Sequence, residues 1–588
     1  MMQTILDIAL DQAQRQPSKP AYNYLDDKAD VAATLSFEGL DAIARTIALT
    51  LGARARRGDR ALLVFPPGLD FVKAFYGCIY AGIIPVPCHP PNPSGLQQSH
   101  PRFWSLAQDC DAAVVMTVRS MIPSREQLDE MQSPVANLDW LAIDELAASD
   151  ASEWRHPGSL ANDITLIQYT SGSTSSPKGV MLTNANILGN CRLIYEAYRH
   201  DANTHLINWL PLYHDMGLIG SGVLQSLLAG ATSDLMSPVS FMRKPTLWLE
   251  AISRRKDCRV TSGGPNFSYE SCLLRANAEE LQDIDLSGWA VAFNGAEPIR
   301  SEVMHGFATA FAPKGFRASS LFPCYGLAEA TLMVAGGPHG RPLEETTIGL
   351  DELLDGHLVV PTTEAKGRNI TLVSSGRTLR DQEIRIVDAA SCRPKPDGEI
   401  GEIWVRGVSI GEGYWNQPET SAETFRAVIV GEPGVPYLRT GDLGALVNGE
   451  LYVTGRIKDV LIIDGLNVYP HDVEFHAERS HHSLRPGACV AFNRSGLGEA
   501  REEVVVVAEV QPRALAQLQR TDETATALRD EIRLNVHRAV RSAIGISIAE
   551  LILVRPRTVP RTTSGKLQRL LCRQLHASGD ISPLHEPA

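Results

Sequence analysis

Short apolar runs recur through the first two thirds of the chain, at residues 60–65, 163–169, 259–261 and 289–293. Each is followed by a glycine-containing loop and a stretch of helical periodicity. Strands alternating with helices predict parallel α/β sheets, whose ligand sites collect in the loops beyond the strand ends. From residue 383 onward the pattern changes to short strands bounded by Gly, Pro, Asp or Asn, among them EIRIVD, GEIWVRG and GELYVTG, which predict a small β-rich subdomain. Beyond Arg456-Ile457-Lys458-Asp459 come VLIID, ACVAF and EEVVVVAEV as strands and a helical stretch over 522–542, a compact α+β pattern. The expected fold is therefore a multi-subdomain α/β N-terminal domain over 1–457, with parallel sheets, helices and the β-rich piece, followed by a smaller α+β domain over 458–588. The proline-rich PVPCHPPNP at 85–93 is expected to be a rigid loop. At the N-terminus, Asp7 and Asp11 interrupt an apolar stretch without a basic lead, the pattern of an amphipathic helix rather than a secretion signal.

Composition narrows the function classes. The chain has 588 residues, 44% of them hydrophobic and 21% charged, which is too long for one core and too apolar for disorder. A net charge of −13 argues against nucleic-acid binding, which depends on cations that neutralise phosphates. Ten cysteines are scattered without a CxxC pair or zinc spacing, which suits a reducing cytoplasm. No stretch approaches the roughly 18 apolar residues of a membrane span, so no integral membrane segment is expected.

The segment 169–179, YTSGSTSSPKG, follows the apolar strand DITLIQ and precedes a helical stretch that begins near Asn184. Glycines let a backbone approach a ligand closely, hydroxyls and amide N–H groups donate to phosphate oxygens, and Lys178 adds positive charge. The segment lacks the Gly-Lys-Ser/Thr ending of a Walker A loop. A flexible Ser/Gly linker has similar composition, but linkers rarely lie inside an α/β unit.

Further motifs follow in order: WLPLYHDMGL at 209–218, NGAEP at 294–298, YGLAEAT at 325–331, YLRTGDLG at 437–444, GRIKD at 455–459 and PRTTSGKLQR at 560–569. With the Ser/Thr/Gly loop, this series resembles the adenylate-forming superfamily of acyl-CoA synthetases, peptide-synthetase adenylation domains and luciferases along nearly the whole chain. The resemblance implies ATP and Mg²⁺ as cofactors. Thr170, Ser171, Gly172, Ser173, Thr174 and Lys178 would hold the triphosphate, and Glu329 would bind Mg²⁺. Tyr325, Gly326 and the turn of Asn294, Gly295, Ala296 and Glu297 would border the adenine, with Asp442 on the ribose hydroxyls and Arg456 beside it. Lys566 would be the catalytic lysine, carried by a mobile C-terminal domain that swings about a hinge at Lys458. His214, Met216, Gly217 and Phe267 would line the acyl site.

Three segments, WLPLYHDMGLIGSGVLQSLLAG, MSPVSFMRKPTLWLEAISRRKDCRVTSGGPNFSYE and NGAEPIRSEVMHGFATAF, look most like the fatty acyl-AMP ligases within that superfamily. The stretch near 344–371 looks like the insertion of that branch, expected as a helix and a strand that pack on the N-terminal region and restrict rotation of the C-terminal domain. This resemblance implies activation of a fatty acid as its acyl-adenylate. The acyl group would then pass to the phosphopantetheine of a separate acyl carrier protein, such as one in a polyketide or nonribosomal peptide assembly line. Alternatives are a long-chain acyl-CoA ligase and an inactive acyl- or nucleotide-binding regulator. GLNVYP at 465–470 departs from the branch, which more often has a basic residue after the glycine.

Overall fold

The computed structural model describes residues 3–90, 96–124, 138–146, 151–170, 178–358, 368–463, 466–494, 503–562 and 565–584. Within 96–102 it describes the backbone path alone. The N-terminal amphipathic helix is present as Ile5–Arg15, closed by a Thr4/Asp7 capping box and burying Ile5, Leu6, Ile8 and Ala9. Parallel pairing runs through the central strands Leu321–Gly326, Trp289–Asn294, Arg259–Gly264, Thr204–Asn208, Thr232–Leu235 and Pro20–Leu25. Their faces are filled by large apolar side chains, including the fully buried Trp248, Trp289 and Phe307. The motif loops at 294–297 and 326–331 leave the C-terminal ends of two adjacent strands of this sheet, where ligands of parallel α/β sheets are expected.

A second parallel sheet contains Arg60–Val64 with Ile84–Cys88, Ala112–Thr117 and Asp139–Ala142. Here the expectation for the proline-rich segment is corrected, because its first half is an edge strand. Pro85 and Pro87 pair in register with Ala61 and Leu63. A proline lacks an amide donor, but an edge strand has one side without a ladder, so alternate prolines are tolerated there.

The expected β-rich piece is present. Its strands Gln382–Val387, Gly401–Gly407, Pro436–Val447 and Glu450–Arg456 join the central sheet through the two-residue strand Arg377–Thr378. The C-terminal segment builds its own sheet from Leu484–Asn493, Val504–Val510 and Ile548–Val554, covered by the helices Pro470–Arg479 and Glu523–Ala543.

The insertion holds a helix, Leu350–Leu354, and a strand, Asn369–Val373, as expected, together with a second strand, Glu345–Gly349, paired antiparallel to the first. His305 meets Glu345 across 2.9 Å, tying the insertion to the N-terminal helix Ser301–Phe311. Its apolar side chains go further than the N-terminal region. Ile348, Leu350, Leu353 and Leu354 share one core with Leu461, Ile463, Val468 and Val473 of the C-terminal segment.

Candidate active site

The Ser/Thr/Gly loop lies between two antiparallel strands, Ile164–Thr170 and Lys178–Thr183. The expected strand-to-helix turn is thus a hairpin, and the helix Asn184–Tyr198 starts only after the second strand, capped by Thr183 and Asn186. Ser171, Gly172, Ser173 and Thr174 lie outside the described residues. Thr170 and Lys178 face each other across the hairpin and both line a cavity of about 2080 Å³. Lys178 places its ammonium 4.7 Å from the centre of the Tyr414 ring. Burial first, then the charge of Lys458, holds its pKa below the ordinary lysine value.

Glu329 sits on a single 3-10 turn, Ala328–Ala330, just past the Tyr325 strand. Its Oε1 accepts the Tyr414 hydroxyl at 2.8 Å. Burial raises the Glu329 pKa, while Tyr414 and Arg456 oppose that rise. Among the described residues no cluster of three or more His, Cys, Asp or Glu side chains is set to hold a metal. A lone carboxylate beside a phosphate site suits Mg²⁺, which keeps most of its shell as water and phosphate oxygens.

Asp442 and Arg456 lie opposite each other on the antiparallel strands Pro436–Val447 and Glu450–Arg456. Arg456 Nε donates to Asp442 Oδ1 at 2.8 Å, and Tyr325 Oη donates to Asp442 Oδ2 at 2.8 Å. Asp442 foremost raises the Arg456 pKa, and burial raises that of Tyr325. Gly326 has no room for a side chain, because a Cβ there would stand 1.7 Å from the Leu332 carbonyl oxygen.

In the 294–297 turn, Ala296 has a φ of 71°. A non-glycine residue in that region costs about 1–3 kcal/mol and is characteristic of functional turns. Ala296 and Glu297 line the cavity. Asn294 and Gly295 sit behind them, Asn294 buried with its amide on Met304 and Gly295 packed on the Cys324 carbonyl. Glu297 accepts the Phe267 amide at 2.6 Å.

Lys566 enters this cavity from the C-terminal segment. Its backbone is held in a tight turn, with Lys566 N donating to Thr562 Oγ1 at 3.0 Å and Thr562 N to Lys566 O at 2.8 Å. Burial pushes its pKa down, and Arg456 adds to that, whereas Asp215, Glu297 and Asp442 act in the opposite direction. Lys178 and Lys566 thus reach one cavity from different ends of the sequence, and Lys458 lines it as well.

His214, Met216 and Phe267 also line the cavity, continuing into an apolar wall with Trp209 and Leu332. Gly217 is packed beneath it, where a Cβ would meet the Pro211 carbonyl oxygen at 2.3 Å. The histidine is explained by its neighbour. His214 Nδ1 lies 2.5 Å from Asp215 Oδ1, and that buried carboxylate also accepts the Met216 amide at 2.7 Å. Burial would raise the Asp215 pKa, but His214 and Lys566 outweigh it and keep it low. Sequence reasoning missed Asp215 and Tyr414. Asp215 adjoins His214 inside a motif already singled out, while Tyr414 stands 85 positions from Glu329 with no local signal.

A family model described as AMP-binding enzyme matches residues 10–415. The chain belongs to the AMP-binding enzymes. Among its relatives in that family is JamA of Moorena producens, named a medium-chain-fatty-acid–[acyl-carrier-protein] ligase, 37% identical over 98% of this chain and 96% of JamA. TtuA of Teredinibacter turnerae carries the same enzyme name and is 32% identical over 99% of this chain and 94% of its own. A fatty acyl-adenylate ligase of L. pneumophila, solved with acyl adenylate and pyrophosphate, covers 100% of this chain and 98% of its own at 35% identity and a TM-score of 0.74. This AMP-binding enzyme is an adenylate-forming ligase that uses ATP, and its fold is that of the fatty acyl-AMP ligases.

The expectation that Asp442 receives the ribose hydroxyls gives a direct test. Asp442→Ala should weaken AMP binding about ten- to a hundredfold, the loss of charge-assisted hydrogen bonds worth about 1.5–3 kcal/mol. Titration calorimetry with AMP measures this, and unchanged affinity would remove Asp442 from the nucleoside site.

Proposed function

We propose that this enzyme activates a fatty acid with ATP to give fatty acyl-AMP and pyrophosphate, then passes the acyl group to the phosphopantetheine thiol of a separate acyl carrier protein. One observation carries the reading. Lys566 stands among Asp215, Glu297 and Asp442 in a cavity that the apolar side chains Trp209, Met216 and Phe267 also line. A carboxylate oxygen of the fatty acid would attack the α-phosphorus while the bond to the bridging oxygen of pyrophosphate breaks. Such a reaction needs alignment and cations more than acid or base chemistry. Lys566 would hold the reacting carboxylate and the α-phosphate together, and Lys178 would meet the outer phosphates. Glu329 would hold Mg²⁺, which would supply charge neutralisation on the phosphate oxygens. The apolar wall would take the alkyl chain, desolvating it at about 25 cal/mol per Å².

The printed activities of JamA and TtuA support the carrier protein as acceptor. The core that the insertion shares with the C-terminal segment would have to open for that segment to rotate about Lys458. Leu466, where the sequence departs from the branch, opens the short strand Leu466–Val468, paired antiparallel with Leu461–Ile463. Among the described residues no helix is long and apolar enough to cross a membrane, and we place the reaction in the cytoplasm.

Two outcomes follow. With ATP, Mg²⁺ and a fatty acid, a phosphopantetheinylated bacterial acyl carrier protein should be acylated at least about tenfold faster than coenzyme A, read by mass spectrometry; efficient acyl-CoA formation would reassign the acceptor. The second concerns pH. Glu329 would hold Mg²⁺ as the carboxylate, and in the metal-free enzyme burial raises its pKa. At limiting Mg²⁺ protonation would therefore compete with the metal, and activity should be lost along an acid limb as pH falls through that raised value. Tyr414→Phe removes a donor that favours the charged form, so this limb should move to higher pH in the profile of fatty-acid-dependent pyrophosphate release. A limb that stays in place would separate Tyr414 from Glu329 function.

A further inference from the structure

The helix Pro470–Arg479 presents Asp472, Phe475 and Arg479 at i, i+3 and i+7, one face of an α-helix. That face is turned to the N-terminal domain. Arg300, at the start of the helix Ser301–Phe311, donates from Nη1 to Asp472 Oδ1 at 2.8 Å and from Nη2 to the His471 carbonyl at 2.8 Å. Its guanidinium also stands 4.6 Å from the centre of the Phe475 ring. Arg479 stands 4.2 Å from that ring and pairs with Glu270 on the helix Asn266–Arg275. Phe475 is therefore flanked by two arginines, one from each side of the seam. The two ion pairs have opposite polarity: the N-terminal side supplies the cation at Asp472 and the anion at Arg479. A slide or rotation of the helix would set like charges together, so the arrangement admits one register.

The opposite side of the same helix leads to Lys566. Arg569, three residues beyond it, binds both Glu474 carboxylate oxygens at 2.7 Å and reaches Asp459 at 3.1 Å, beside Lys458. On the other side of the seam, Arg300 lies three residues after Glu297, one of the carboxylates that face Lys566, and its amide is held by Asn266 Oδ1 at 3.1 Å. The Arg300–Asp472 pair is well enclosed, with side chains 17% and 10% exposed, so it escapes the screening that makes surface pairs weak.

We propose that Arg300 is a positioning residue for adenylate formation. By clamping Asp472 and Phe475 it seats the helix Pro470–Arg479, and that helix, through Glu474 and Arg569, sets Lys566 in the cavity. The inference rests on the proposed function, in which Lys566 serves the first half-reaction. It adds a residue outside the reacting groups and a consequence that separates the two half-reactions. Loss of the clamp depopulates the pose that forms the adenylate and leaves the pose that transfers the acyl group untouched or more populated.

The test measures both half-reactions in Arg300→Ala, Asp472→Asn and Arg300→Lys. For Arg300→Ala and Asp472→Asn, kcat for fatty-acid-dependent pyrophosphate release should fall about tenfold with the KM for ATP little changed. Single-turnover transfer from synthetic acyl-adenylate to the phosphopantetheinylated carrier protein should be unchanged or faster. Arg300→Lys, which keeps the charge without the fork, should recover part of the loss. Asp472→Asn preserves shape, so it carries the test if Arg300→Ala fails to fold. An equal change in both half-reactions, or no change in either, would overturn the proposal. Failure of the underlying function would appear elsewhere, as absence of fatty-acid-dependent pyrophosphate release from the unmodified protein.

Discussion

The placement of one lysine governs the arrangement of this enzyme. Lys566 is drawn out of water into a cavity it shares with Arg456, and both influences lower its pKa. A desolvated ammonium is tolerated only where carboxylates and polar ligand atoms replace its water. Asp215, Glu297 and Asp442 supply that compensation, and they come from three separate stretches of the N-terminal domain. The lysine itself belongs to another folded unit, so its position is no better defined than the seating of that unit. The seam is accordingly built from directional contacts: opposed ion pairs on one helix face, an aromatic ring between two guanidiniums, and a shared apolar core at the insertion.

The side proposed for the nucleotide shows the opposite design, with rigidity from strand pairing. Asp442 and Arg456 are cross-strand partners, and Tyr325 reaches the same carboxylate from the end of the central sheet. Three elements fix one side chain, which leaves its geometry independent of where the C-terminal segment sits. Glu329 and Tyr414 form a similar link between the central sheet and the short strand Gly413–Tyr414, itself paired with the phosphate-loop hairpin. Preorganisation of this kind spares the reorganisation that a looser site would need during reaction.

The sequence disclosed the parallel sheets because short apolar runs alternating with helical spacers leave few alternatives. It brought together many residues that line one cavity, because they lie in contiguous motifs. It misled at Pro85 and Pro87, where composition pointed to a loop; the ladder to Arg60–Val64 makes these residues an edge strand, a tertiary fact that local propensity does not contain. After the phosphate loop the helix start near Asn184 was legible, but the short strand KGVMLT ahead of it was not, since periodicity alone does not assign so short an apolar run. Tyr414, Arg300 and Phe475 were illegible for another reason. Their partners are distant in sequence, and an arginine or a tyrosine outside a motif is by itself an ordinary surface or core residue. The insertion at 344–371 was placed correctly as helix and strand, but its core with Leu461 and Val473 depends on how two units pack.

The central claim is that this lysine, delivered across the seam, makes the adenylate. Lys566→Ala is the most direct measurement, with acyl-AMP quantified by mass spectrometry in single turnover. Formation of acyl-AMP should fall by about a hundredfold or more, the scale for removing a preorganised charge from a transition state. Binding of AMP at the Asp442 site should persist. Acyl-AMP formed at a rate near that of the unmodified enzyme would contradict the claim.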